Sequence, residues 1–458
     1  MKKGSPVIII LIAVIIVVIV SLLPLSKWSG GRIKDFSLFS DILKEVGIME
    51  GEPSYATAEN IDPELLKAAA EAEKEAEKAP LPGEPIDTII SPVKPSRVGD
   101  LVRVEDYTTL GTGFTNLKSA ISEGRLARVA VVGDSYIEGD IFTQDLRELF
   151  QDAYGGEGVG YVNMHSDFPG FRRSVKQGGS GWQSFSANKK SDKKYLDLTE
   201  QYFTPKGTAV STYAGTSAFK HTGSWSRSRF LFISPDDITI SVKTDSGEWE
   251  ERNISASESV QCLEIAQPVS EFGLKASSSS LIALGVWLDG TSGVSVDCMS
   301  SRGFSGITLT KINPDLCHEM AEVINYDLII LEFGINAMSA GQKEYSVYCS
   351  RMVDVINHVR FCYPNADILL MGIGDRGERR GSKVRSMAVA PAMISAQRDA
   401  ARRAHCLFWD TREAMGGEDA VVQWSSTGLM NKDYIHLTHK GGARLAGELF
   451  NAIQHDLK

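Results

Sequence analysis

The 458-residue sequence predicts an α/β protein: a mostly parallel sheet covered by helices on both faces, interrupted by an inserted β-sandwich and preceded by a transmembrane helix. Three observations carry this expectation. After residue 128, short apolar strands alternate with helical segments, the rhythm of a parallel sheet. Between about 168 and 288 that rhythm gives way to period-two patterning, the mark of half-buried strands. Ahead of both, residues 7–25 form an uncharged run rich in Ile, Val and Leu.

The N-terminal run follows Lys2 and Lys3. Its length, at about 1.5 Å rise per residue, gives roughly 28 Å, enough to span a hydrocarbon core. No Ala-x-Ala cleavage site follows, so residues 1–27 read as an uncleaved signal anchor. Lys2 and Lys3 face Lys27, Arg32 and Lys34 across the run, a near tie in positive charge. The short N-terminal tail favours the cytoplasm, which puts the body outside it: anchored in an inner membrane and periplasmic. Residues 28–100 read as a tether, with an Ala/Glu/Lys-rich helix at about 62–78 and a proline-marked extended linker.

The α/β region has two parts, 101–167 and 289–458. In the first, "RVAVVGDS" is a strand ending at Gly133-Asp134-Ser135. Leu146, Leu149, Phe150 and Tyr154 then share a helical face, which Gly155 closes. In the second, strands are expected at 293–298, 327–334, 367–374 and 405–410. Helices are expected at 311–325, 342–362, 391–404 and from about 439. The intervening 168–288 reads as the sandwich, a possible carbohydrate-binding unit.

Composition narrows the function. Lys plus Arg is 48 against 58 Asp plus Glu, a net charge of −10, which argues against a nucleic-acid partner. Six cysteines without a C-x-x-C pair argue against a disulfide scaffold or structural zinc. The chemistry-bearing residues cluster where a parallel sheet collects its loops. Ser135 sits at a strand–turn–helix elbow, Gly334 and Asn336 follow the 327–334 strand, and Asp433 stands three residues before His436. These are the parts of a serine hydrolase: nucleophile, oxyanion donor, orienter and base.

The blocks "VVGDSYIEGD", "RGFSGITL", "LEFGINAM" and "DYIHLT" resemble, in this order, the SGNH branch of the GDSL-type hydrolases. Bacterial peptidoglycan O-acetylesterase-like members, which carry a β-domain between the first two blocks, are the nearest likeness. The resemblance covers roughly 100–458 and implies a flavodoxin-like, three-layer α/β/α fold. It implies Ser135, His436 and Asp433 as catalytic triad. The oxyanion donors it implies are the Ser135 N–H, a glycine N–H and the Asn336 amide. Gly303 and Gly306 both offer that N–H, and the family pattern selects Gly306. Tyr136 departs from the His or Gln of close relatives, at a position that lines the site mouth in such a fold. The implied activity is removal of O-acetyl groups from a cell-envelope polysaccharide, peptidoglycan first. The alternatives are an O-acetyltransferase using the same triad and a non-catalytic glycan-binding protein. No cofactor and no metal is expected; Asp433, His436 and His439 have i, i+3, i+6 spacing but lack an identifiable further ligand.

Two further features have bland readings beside the functional ones. Arg376, Arg379, Arg380, Lys383 and Arg385 read as a solvated loop, or as an electropositive lip for an acidic glycan. Trp182, Trp225, Trp249 and Trp287 could stack on sugars, but most are expected in the core.

Overall fold

The computed structural model describes residues 97–188 and 191–458. The predicted signal anchor and nearly all of the tether lie outside the described residues. Among the described residues no helix is long and apolar enough to cross a membrane.

The chain opens the α/β region with a short edge strand β1 (Glu105–Asp106) and the buried strand β2 (Ala127–Gly133). A turn at Ser135 leads into helix α1 (Thr143–Tyr154), which Gly155 ends with φ 78°. Strands follow at once: β3 (Gly158–Val162), β4 (Val175–Ser186), β5 (Gln201–Gly215), β6 (Arg227–Ser234), β7 (Ile238–Thr244), β8 (Glu250–Ile254), β9 (Ser257–Ile265), β10 (Glu271–Ala276) and β11 (Ile282–Asp289). The α/β rhythm resumes with β12 (Val294–Ser300), α2 (Pro314–Ala321), β13 (Leu328–Glu332), α3 (Ser346–Cys362) and β14 (Asp367–Met371). A hairpin β15 (Gly377–Arg380) and β16 (Lys383–Ser386), helix α4 (Ala390–Arg403), strand β17 (Leu407–Trp409) and helix α5 (His439–Leu457) complete the set used here.

The α/β sheet has the order β12-β2-β13-β14-β17-β1. Its first five strands are parallel and β1 is antiparallel on β17. Every residue of β2 and β13 is buried, as continuous apolar strands covered on both faces must be. Helix α1 packs with α5, and α3 with α2 and α4, so two helix groups flank the sheet. Strand order turns at β2, whose carboxyl end carries Ser135 between the ends of β12 and β13.

The all-β segment is antiparallel throughout and forms one nine-stranded sheet built of two runs, β8-β7-β10-β5-β4 and β3-β11-β6-β9. A single residue pair, Ala283 with Phe203, joins them. Both contribute to one apolar core, with Phe203, Tyr213, Phe272 and Leu274 from the first and Phe230, Phe232 and Val286 from the second. This segment starts earlier than residue 168, because β3 pairs with β11. Gly158, Val159 and Gly160 already belong to it. Trp225 and Trp287 are core residues, fully buried. Trp182 packs partly on the core, and the Trp249 ring carries the Lys275 ammonium 4.4 Å from its centre. Asp289, at the end of β11, accepts Arg128 of β2 and Arg229 of β6, each at 2.6 Å, and so ties the segment to the α/β sheet.

Candidate active site

Gly133 ends β2 against Glu332 of β13; a Cβ there would stand 2.7 Å from the Glu332 carbonyl oxygen. The next residue, Asp134, is buried and caps the turn by accepting the Tyr136 N–H at 2.9 Å. Ser135 thereby projects from the sheet edge, half-buried. The turn is held from below by Asp140, which takes Arg147 of α1 in a two-pronged pair at 2.7 and 2.9 Å.

The second loop precedes α5. Thr438 caps that helix by accepting the Gly441 N–H, and Gly442 lets the helix approach the Ile141 carbonyl, which a Cβ would meet at 1.9 Å. The helix start therefore docks on the turn after Ser135. In this loop Tyr434 takes φ +59°, folding Asp433 back onto His436. His436 Nδ1 lies 2.8 Å from Asp433 Oδ2, and His436 Nε2 lies 3.0 Å from Ser135 Oγ. An ionised carboxylate only accepts, so Nδ1 carries the proton and Nε2 faces the serine as acceptor. Burial opposes ionisation of Asp433. The hydrogen bond and charge of His436, with the N–H groups of Ile435 and His436, outweigh it and hold the carboxyl below its ordinary value. The three residues form a hydroxyl–imidazole–carboxylate relay.

Asn336 enters from the third loop and is exposed. Its Nδ2 donates to Asp134 Oδ2 at 2.8 Å and to the Phe304 carbonyl at 2.9 Å. Both amide hydrogens are therefore engaged, which the motif alone does not reveal. The Phe304 bond brings the loop after β12 to the same place. There Gly306, at φ +90°, starts the turn Ile307–Lys311, and a Cβ on it would run into Phe333. The glycine is required by both its backbone angle and its neighbour.

Several neighbours have no counterpart in the motifs. Glu332 is buried beside Asp134; burial raises both carboxyls, and the charge of Asp134 raises Glu332 further. A glutamate inside the apolar run "LIILEFG" was the available signal. Arg376 donates from Nη1 to the Ile335 carbonyl at 2.8 Å. Tyr136, expected at the mouth, is instead buried beneath the site with its hydroxyl 3.5 Å from Met415 Sδ. His439 does not join Asp433 and His436, since its Nδ1 lies 3.1 Å from Gln144 Nε2. Among the described residues no three His, Cys, Asp or Glu side chains group to hold a metal.

A cleft of about 300 Å³ lies between the all-β segment and the loops after β2 and β12, its lining starting at Glu138, three residues past Ser135. Its walls include Glu138, Arg302 and Phe304 on one side and Phe168, Phe185 and Gln177 on the other. Glu200, at φ +57° before β5, forms part of its floor.

No protein-family model and no curated protein matches the chain. Solved structures do. One described as a peptidoglycan O-acetylesterase in action superposes with a TM-score of 0.63 at 21% identity, covering 77% of this chain and 99% of that one. A family two carbohydrate esterase from Cellvibrio japonicus covers 61% of this chain and 98% of its own at 12% identity, with a TM-score of 0.27, too low to carry an argument. At these identities the likeness is one of fold.

Proposed function

The chain shares the fold of the solved peptidoglycan O-acetylesterase, and from that premise we propose that it is a serine esterase removing O-acetyl groups from a cell-envelope polysaccharide. Peptidoglycan is the first candidate substrate. The observation that carries this reading is the relay Ser135–His436–Asp433, with contacts of 3.0 and 2.8 Å, at the carboxyl end of a central parallel strand.

The residues divide the reaction as follows. Ser135 Oγ attacks the acetyl carbonyl carbon while His436 Nε2 takes the hydroxyl proton. Asp433 fixes the imidazole tautomer and stabilises the imidazolium. The tetrahedral oxyanion is held by the N–H groups of Ser135 and Gly306 and by Asn336 Nδ2, one of whose two resting hydrogen bonds gives way to it. His436 returns the proton to the sugar oxygen, which leaves. Water, activated by the same imidazole, then releases acetate from the acyl-enzyme. The half-buried Ser135 and His436 and the exposed Asn336 leave the site open to water, which favours hydrolysis over transfer to a second sugar. A polymer on the outside of the membrane agrees with the signal anchor read from the sequence, and we place the domain there.

The test offers the full chain a chromogenic acetyl ester and O-acetylated peptidoglycan, with acetate release as readout. Ser135→Ala should lose several orders of magnitude in turnover with its thermal unfolding unchanged. A folded Ser135→Ala protein that releases acetate at the wild-type rate refutes the proposed nucleophile.

A further inference from the structure

Arg376 occupies a place that the relay does not explain. It follows the loop after β14, at the carboxyl end of the sheet. Its Nη1 is fixed on the Ile335 carbonyl at 2.8 Å, one residue before Asn336. The N–H of the next residue, Gly377, donates to the Tyr434 carbonyl at 2.8 Å, between Asp433 and His436. The guanidinium is thus pinned between the loop that carries Asn336 and the loop that carries the base.

What it lacks is an anion. Among the described residues Arg376 forms no ion pair, whereas Arg147, Arg302, Arg398 and Arg412 each meet a carboxylate. Its chain neighbour Asp375 is already engaged by Ser386, Arg412 and the Val421 N–H. Asp134 and Asp433 lie within its field, but their oxygens serve Tyr136 and Asn336, and Ile435 and His436. Tyr345 is the other titratable group facing it. Burial works against the charge of such a guanidinium, which a planar anion would relieve. The approach is electropositive. On the hairpin β15–β16, Arg380 pairs with Glu378 and Arg385 with Asp419, while Arg379 and Lys383 form no ion pair among the described residues. This occurs in a chain of net charge −10, where a positive lip is not a by-product of composition.

We propose that Arg376 is a carboxylate subsite: the sugar whose ester reaches Ser135, or its neighbour in the chain, carries a carboxylate that the free edge of this guanidinium binds. This deepens the esterase reading, which names the polymer, but its test does not depend on turnover.

The experiment compares N-acetylmuramic acid with its lactyl carboxamide, which differs only in the missing negative charge, binding to the full chain by protein-observed NMR. Wild type should bind the acid about tenfold more tightly, and the preference should shrink with added salt. Arg376→Gln should abolish the preference. Arg376→Lys, which keeps charge without the two-pronged geometry, should retain part of it and decides the matter if the glutamine variant does not fold. Absence of a preference in wild type, or its survival in Arg376→Gln, overturns the proposal. So does a glutamine variant that keeps the preference but loses kcat on a neutral acetyl ester, because Arg376 then only positions Asn336. A wild-type protein that prefers the acid yet hydrolyses no ester would sink the esterase reading and leave the carboxylate subsite standing.

Discussion

Replacing Glu200 by glutamine should make the stability of this protein less dependent on pH. Glu200 is fully buried, and neither carboxyl oxygen completes a hydrogen bond; the hydroxyls of Thr308 and Ser301 lean toward it without closing the geometry. Burial pushes the carboxyl from an ordinary 4.5 up to about 7. Between those values the native state keeps a proton that the unfolded chain has released. Stability therefore falls as pH rises through this window, and the loss is complete above about 7. The interval corresponds to ~3 kcal/mol. Glutamine cannot ionise, so its stability relative to wild type should climb by about that amount between pH 4.5 and 8, or roughly 5 °C in Tm. Asp197, raised to about 7 by burial alongside it, titrates in both proteins, and its charge adds to the upward push on Glu200. An amide with unmet hydrogen bonds carries a constant penalty of about 1–3 kcal/mol, so the absolute level is not diagnostic. The assay is thermal unfolding of both proteins across pH. A difference that is flat, or that shrinks as pH rises, refutes the buried ionisation as its source.

Two predictions concern the relay and its oxyanion donor. Asn336→Ala should reduce kcat by roughly 100- to 1000-fold with little change in KM, measured on the chromogenic ester; equal activity would show that the amide stays on Asp134 and Phe304 throughout. Asp433→Asn should preserve the fold and lower turnover strongly, since it removes the carboxylate that holds Nδ1–H toward it; turnover near wild type would mean His436 is oriented by something else.

Much of this was legible in the chain because it is local. The strands expected at 293–298, 327–334, 367–374 and 405–410 appear at β12, β13, β14 and β17, where continuous apolar runs end at glycine or a charged residue. Ser135, Asn336, Asp433 and His436 each follow or precede such a boundary, so their motifs mark loops on one edge of the sheet. What was not legible depends on contacts distant in sequence. The pairing of β3 with β11 starts the all-β segment ten residues before the expected 168. The burial of Tyr136 follows from its packing near Gly374 and Met415. The engagement of both Asn336 hydrogens depends on where Phe304 comes to lie. A run of five basic residues reads alike in a loop and in a hairpin, and only the fold separates the ion-paired Arg380 and Arg385 from Arg376.

The join between the two parts of the chain also sets an order of events during synthesis. The strand that carries Ser135 finds its first sheet partner in β12, where Val294 lies 167 residues beyond Ala127. At translation rates of about 5–20 residues per second, that strand waits roughly 10–30 s for a neighbour. The all-β segment does not wait, because its opening strand β3 and closing strand β11 pair with each other. It can fold as it emerges, and it then presents Asp289 as a ready anchor for Arg128 of the waiting strand. Asp433 and His436 arrive last, with the final helix behind them. A ribosome stalled between the end of β11 and residue 433 would hold a folded all-β segment and a Ser135 with no base beside it.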